Sequence, residues 1–181
     1  MPKFPPTPAG TRIDAALLQS MLPLYIYKTS STDRTATTTL AADPDLQVEL
    51  EAGAVYCIEM YIYFGGEHND DGANDGDFTT SWQIPAGASG LKSVIGPGAN
   101  AALSSAAHTV NSVRLGVHQL TTGVSYANVR NATNLVALAY EQAIVTTVAA
   151  GTLALMWAQE DPDATPTRVA EGSFMRVTRI E

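Results

Sequence analysis

The densest set of hard oxygen donors in the chain lies between Glu67 and Asp77, where Asp70, Asp71, Asp75, Asn69 and Asn74 are spaced by Gly72 and Gly76. Oxygen ligands on a glycine-bearing loop are what calcium takes. The register does not complete. With Asp71 first and Asp75 fifth, Ala73 falls at the third position and Trp82 at the twelfth, where a bidentate glutamate belongs. The same residues suit a long solvated turn with left-handed backbone, and the stretch is read as such a loop. His68, His108 and His118 are scattered. No Gly-x-Ser-x-Gly elbow, His-Glu-x-x-His pair or phosphate-cradling glycine loop is present, and no serine has the neighbours of an activated nucleophile. The lone Cys57 leaves no internal disulfide framework and is read as a small half-buried side chain. Asn131-Ala132-Thr133 matches the glycosylation acceptor, a motif short enough to recur by chance. Tyr56, Tyr61, Tyr63, Phe78 and Trp82 have the rings of a sugar-stacking platform, but their alternation fits core and interface packing better. These residues point to a protein that is not an enzyme and holds no cofactor and no metal.

The elements that must position these residues are set by composition and periodicity. Across 181 residues the charged fraction is 15 %, against roughly 25 % in ordinary soluble domains. The surface must then be covered by Thr, Ser, Ala, Gly and Asn, or be buried against other subunits. A net charge of −8 disfavours nucleic acid as a partner. No stretch reaches the ~20 apolar residues of a membrane span, and Met1–Ile13 is proline-rich with no apolar signal-peptide core. No nucleic acid and no membrane are expected as partners.

Residues 1–23 are read as a proline-rich arm with one short helix, and 24–181 as a β-domain. Pro2, Pro5, Pro6 and Pro8 keep the arm extended. Asp14 is placed to cap a helix over Ala15–Leu22 that Pro23 stops, with Leu17, Leu18, Met21 and Leu22 on one face. So short a helix must dock, either as a cap on its own core or as an anchor on a neighbour. Val55–Phe64 is the strongest strand, with Tyr56, Ile58, Met60, Ile62 and Phe64 on the core face. Its mixed opposite face, with Val55, Tyr61 and Tyr63, is expected to meet another subunit. Leu40–Leu46 is read as a turn from Asp43-Pro44-Asp45, and Gly96-Pro97-Gly98 as a break after a strand over Leu91–Ile95. Ala99–Asn111 gives no clear period, and Tyr126 stands in a Gly/Asn-rich connection. Thr152–Gln159 and Ser173–Ile180 alternate and are read as a hairpin that closes an antiparallel sheet. Eight or nine short strands with no βαβ rhythm favour an all-β antiparallel sandwich or jelly roll.

Three stretches together resemble small structural proteins of tailed bacteriophages, of the head-decoration or tail-associated kind. They are DAALLQSMLPLYIYK at Asp14–Lys28 followed by Thr37-Thr38-Thr39-Leu40 and Asp43, Tyr61–Gly66 with DFTTSWQIPAGA at Asp77–Ala88, and GTLALMWAQEDPDATPTRVAEGSFMRVTRIE at the end of the chain. The likeness spans most of the chain and is weakest over Ala99–Ala132. It implies a β-sandwich in the virion, assembled in the host cytoplasm, trimeric in the manner of jelly-roll modules and bound to the major capsid protein. On that basis the chain is expected to be a capsid decoration protein, with Leu17, Leu18, Met21 and Leu22 as its anchor. The alternative is a tail-tip or fibre-associated module that binds host-surface glycans through its loops, for which Tyr126 is the one loop aromatic.

Overall fold

The computed structural model describes residues 9–66, 78–98, 113–127 and 133–181. The expected sites at Glu67–Asp77, His68, His108 and Asn131, and the stretch Ala99–Asn111 that gives no clear period, lie outside them. One short helix, α1 (Ala15–Ser20), precedes twelve described strands. These are β1 (Leu24–Tyr27), β2 (Thr32–Arg34), β3 (Ala41–Leu50), β4 (Val55–Gly65), β5 (Phe78–Gln83), β6 (Leu91–Pro97), β7 (Val113–Gln119), β8 (Val124–Tyr126), β9 (Ala137–Thr146), β10 (Gly151–Gln159), β11 (Thr167–Val169) and β12 (Phe174–Arg179). Every pairing between the described strands is antiparallel.

The pairing order makes the sandwich a jelly roll. A large sheet runs β1-β12-β4-β9-β6-β7, with β2 and β11 at its side, and a small sheet runs β3-β10-β5-β8. Setting aside β2, β6, β7 and β11, the remaining eight strands in chain order form sheets 1-8-3-6 and 2-7-4-5. That is the doubly wound Greek-key wiring of a jelly roll. The pair β6–β7 is an addition that extends the large sheet beyond β9.

Alternation along each strand builds the core between the sheets. Ile58, Met60, Ile62 and Phe64 of β4 are fully buried, and so are Leu153, Leu155 and Trp157 of β10 and Phe78 and Trp82 of β5. Phe64 and Phe78 stack at 4.4 Å between ring centroids, joining the two sheets. Burial of such a set is the main driving force of the fold, at about 1.5–3 kcal/mol for each large side chain.

Several expected elements are corrected. The closing hairpin is not formed: β10 lies in the small sheet between β3 and β5, while β12 lies in the large sheet between β1 and β4. In a jelly roll the last two strands fall in opposite sheets, and Glu160–Pro166 carries the chain across. Leu40–Leu46 does not separate two elements. Asp43-Pro44-Asp45 bends the backbone inside β3, where the register against β10 shifts between Ala154 and Met156. Proline suits such a bulge, because no ladder bond is asked of its nitrogen there. Gly96 and Pro97 continue β6 instead of breaking it, in register with Arg114 and Val113. The helix is shorter than expected, ending at Ser20. Asp14 caps it, its Oδ1 accepting from the Leu17 amide at 2.9 Å.

Candidate interaction surface

The alternation that buries one face of the large sheet turns the other outward, and the register lines up its side chains across the strands. Directly opposed residues share a face. Leu115 sits opposite Ile95, Ile95 opposite Tyr140, Tyr140 opposite Tyr61, Tyr61 opposite Phe174 and Phe174 opposite Tyr27. This one row crosses all six strands of the β1-β12-β4-β9-β6-β7 path without a charge. Its ends are open, with Leu115 71 % and Tyr27 63 % exposed. Its middle is stacked: Tyr61 lies 4.5 Å from Phe174 and 4.8 Å from Tyr140, centroid to centroid. Offset aromatic pairs of this kind add about 0.5–1.5 kcal/mol beyond their burial and hold the rings in place.

The next row supplies the polar groups. It reads Val117, Ser93, Gln142, Glu59, Arg176 and Tyr25 across the same strands. Arg176 Nε donates to Glu59 Oε2 at 2.5 Å, and the Tyr140 hydroxyl lies 3.1 Å from Glu59 Oε1. Burial and the neighbouring Glu59 push the Tyr140 phenol above its ordinary range. Glu59 and Arg176 are the only charges at the outward positions of these strands, and they neutralise each other. Ser93 and Gln142 of this row, with Leu91, Ala143 and Ile144, line an open depression of about 450 Å³.

Val55, Tyr61 and Tyr63, expected on the mixed face, all stand half-buried on this outer surface. In α1 and the two residues that follow it, Leu18, Met21 and Leu22 are 54 %, 56 % and 69 % exposed, and Leu17 is half-buried. The helix therefore does not cap the core with those three side chains. Tyr126, the aromatic assigned to a loop, is fully buried in β8, so it offers no ring to a glycan. Its position follows from pairing with Phe78 of β5.

Two buried ion pairs were missed in the sequence. Glu141 of β9 is fully buried and ties the sheets together. It accepts from Trp82 Nε1 at 2.5 Å, the Tyr126 hydroxyl at 2.9 Å, Lys92 Nζ at 3.1 Å and, by a very short contact, the Thr80 hydroxyl. At the other pair, Lys28 Nζ donates to Asp43 Oδ1 and Asp45 Oδ2, each at 2.9 Å, and to Thr32 at 3.0 Å. Asp43 also accepts from Trp157 Nε1 at 3.0 Å and from the amides of Asp45 and Leu46. Each lysine thus meets a carboxylate that also holds an indole. The signal was present: Lys92 and Glu141 occupy the inward phase of their strands, where Val94, Ala139, Ala143 and Val145 are the neighbours. With each lysine and each indole bonded to a buried carboxylate, these clusters fix the sheets relative to each other.

The chain matches no model of a known protein family, and no curated protein matches it. Among solved structures it is similar to the tripod (BppUct-A-L) from the baseplate of bacteriophage Tuc2009, at TM-score 0.34 and 8 % identity over 95 % of this chain and 71 % of that one. That likeness is too distant to assign a family or a role. Among the described residues no group of three or more His, Cys, Asp or Glu is placed to hold a metal, and no helix is long and apolar enough to cross a membrane. What the surface offers is area for packing.

Proposed function

We propose that this chain is a structural protein of a tailed-bacteriophage virion, a decoration protein bound to the outer surface of the capsid. The observation that carries the reading is unpartnered apolar surface in two separate places, on a chain with few charges. The first is α1 and its C-terminal turn, where Leu18, Met21 and Leu22 are exposed. The second is the uncharged row across the large sheet. Monomeric soluble proteins rarely expose contiguous apolar patches of several hundred Å² unless something binds there. The resemblance of Asp14–Lys28, Asp77–Ala88 and Gly151–Glu181 to small phage structural proteins supplies the setting, and the jelly-roll body accords with it.

In this reading α1, with Leu17, Leu18, Met21 and Leu22, docks on the major capsid protein, and the jelly roll projects outward. Repeating one modest contact over a symmetric lattice multiplies it, so a helix marginal in water gains its stability on the particle. The test is to add the purified chain to capsids lacking it and locate it by electron microscopy. Density over the capsid exterior, lost when Leu18 and Leu22 are both changed to Asp, is the expected result. Density at the tail instead, or binding untouched by the two changes, would reject the decoration role or the anchor respectively.

A further inference from the structure

We infer that the outer face of the β1-β12-β4-β9-β6-β7 sheet packs against the same face of a second copy of this chain. The inference takes from the reading above only that the partner is another copy; attachment to a particle is read separately. Three observations carry it. The first is chemistry. The row Leu115, Ile95, Tyr140, Tyr61, Phe174 and Tyr27 is continuous and uncharged, and its ends are the most exposed large hydrophobic side chains of the sheet.

The second is charge. The chain carries −8 overall, yet the outward positions of these six strands hold only the Glu59–Arg176 pair, closed on itself, and the Arg168–Asp33 pair beside them on β11 and β2 is likewise neutral. Two copies meeting there set no like charges against each other, whereas their acidic surfaces elsewhere would repel. A strongly charged partner would find nothing on this face to complement. The third is area. Six strands spaced about 4.8 Å apart and roughly 20 Å long present roughly 600 Å² of sheet per copy. A pair then covers roughly 1,200 Å², at the lower bound of specific stable interfaces. The strands β6 and β7, added to the eight-stranded roll, supply a third of that width, and their outward Leu91, Ile95, Val113, Leu115 and Val117 are all exposed. Sheets packed face to face align at about 30°, a geometry open to a six-stranded face.

Sedimentation velocity of the full chain at micromolar concentration tests this, with four chains compared. Ile95 and Leu115 are exposed, so Ile95→Glu/Leu115→Glu and Ile95→Lys/Leu115→Lys should both fold, as checked by circular dichroism and melting temperature. The wild type is expected to sediment as an oligomer, and each variant alone as a monomer, with self-association at least tenfold weaker. An equimolar mixture of the Glu and Lys chains should recover the oligomer, because only a face that meets itself brings the two charges together. The Leu18→Asp/Leu22→Asp chain should remain oligomeric, separating this contact from the capsid anchor. A monomeric wild type, an oligomer indifferent to both charge variants, or a mixture that stays monomeric would each overturn the inference.

Discussion

At the scale of single residues the molecule depends on charges in its core. Glu141 takes donors from Thr80, Trp82, Lys92 and Tyr126, three of which reach across from the small sheet. Removing its charge leaves the Lys92 ammonium buried without a counterion. Glu141→Gln should therefore cost about 3–5 kcal/mol, read as a lower urea midpoint from the fluorescence of buried Trp82 and Trp157. Adding Lys92→Met to it should recover part of the loss, since the pair is coupled. A Glu141→Gln chain as stable as wild type would show that the pair is neutralised some other way. The same cluster sets an alkaline limit. Burial, and then the charge of Glu141, raise the Tyr126 phenol above its ordinary 10.0, and Tyr140 is raised as well. Above pH 10 the unfolded chain releases these protons while the folded chain keeps them, so stability falls as pH rises. Lys92 acts in the opposite sense. Burial lowers it below 10.5, so the folded state loses its proton first, which favours folding as pH rises through that range. Two tyrosines outweigh one lysine. The urea midpoint should drop between pH 10 and 11, and Tyr126→Phe should flatten that drop.

At the scale of elements, two segments differ sharply in what they ask of their neighbours. In β6, a Cβ on Gly96 would lie 2.4 Å from the ring of Tyr126, which is fully buried and has nowhere to move. Gly96 is there for close approach of strand to ring, so Gly96→Ala should cost about 1–3 kcal/mol by overpacking. A loss under about 0.5 kcal/mol in the same urea titration would contradict this packing. The arm and α1 are the opposite case. Leu18, Met21 and Leu22 bury little on the body, so deleting Met1–Leu22 should leave a folded jelly roll within about 1 kcal/mol of the full chain. Circular dichroism and a urea midpoint decide the matter. A chain that unfolds on truncation would make α1 a structural cap instead of an anchor.

At the scale of the whole molecule, the jelly roll makes stability collective. Nearly every core contact joins segments far apart in sequence, as when β1 pairs β12 and β3 pairs β10. Folding should be slow for the chain's size, because distant strands must meet before burial rewards them. The two lysine clusters pin opposite partners, Lys28 with β3 and Lys92 with β9, so loss of either should loosen both sheets together. A Lys28→Met chain is expected to unfold in one transition at a lower urea midpoint, with tryptophan fluorescence and circular dichroism coincident. Separate transitions for the two signals would mean that the sheets fail independently.

The sequence by itself determined the local facts. Alternation in Val55–Phe64, Thr152–Gln159 and Ser173–Ile180 reports which side chains point inward, since the pleat has a period of two whatever the strand pairs with. Asp14 could be read as a cap because its contact with Leu17 spans a single turn. The all-β class followed from the same signal. Pairing partners did not, because alternation is identical in a hairpin and in two strands of opposite sheets; only the tertiary structure sends β10 and β12 apart. Nor could period alone identify β8 or place Tyr126, since a three-residue strand is decided by its neighbour Phe78. Burial of Lys28 and Lys92 was likewise settled in three dimensions. A lysine enters a core only where a carboxylate awaits it, and those carboxylates stand 15 and 49 residues along the chain. The outer row is of the same kind. Its residues come from six strands, and the registers that align them exist only once the sheet has formed.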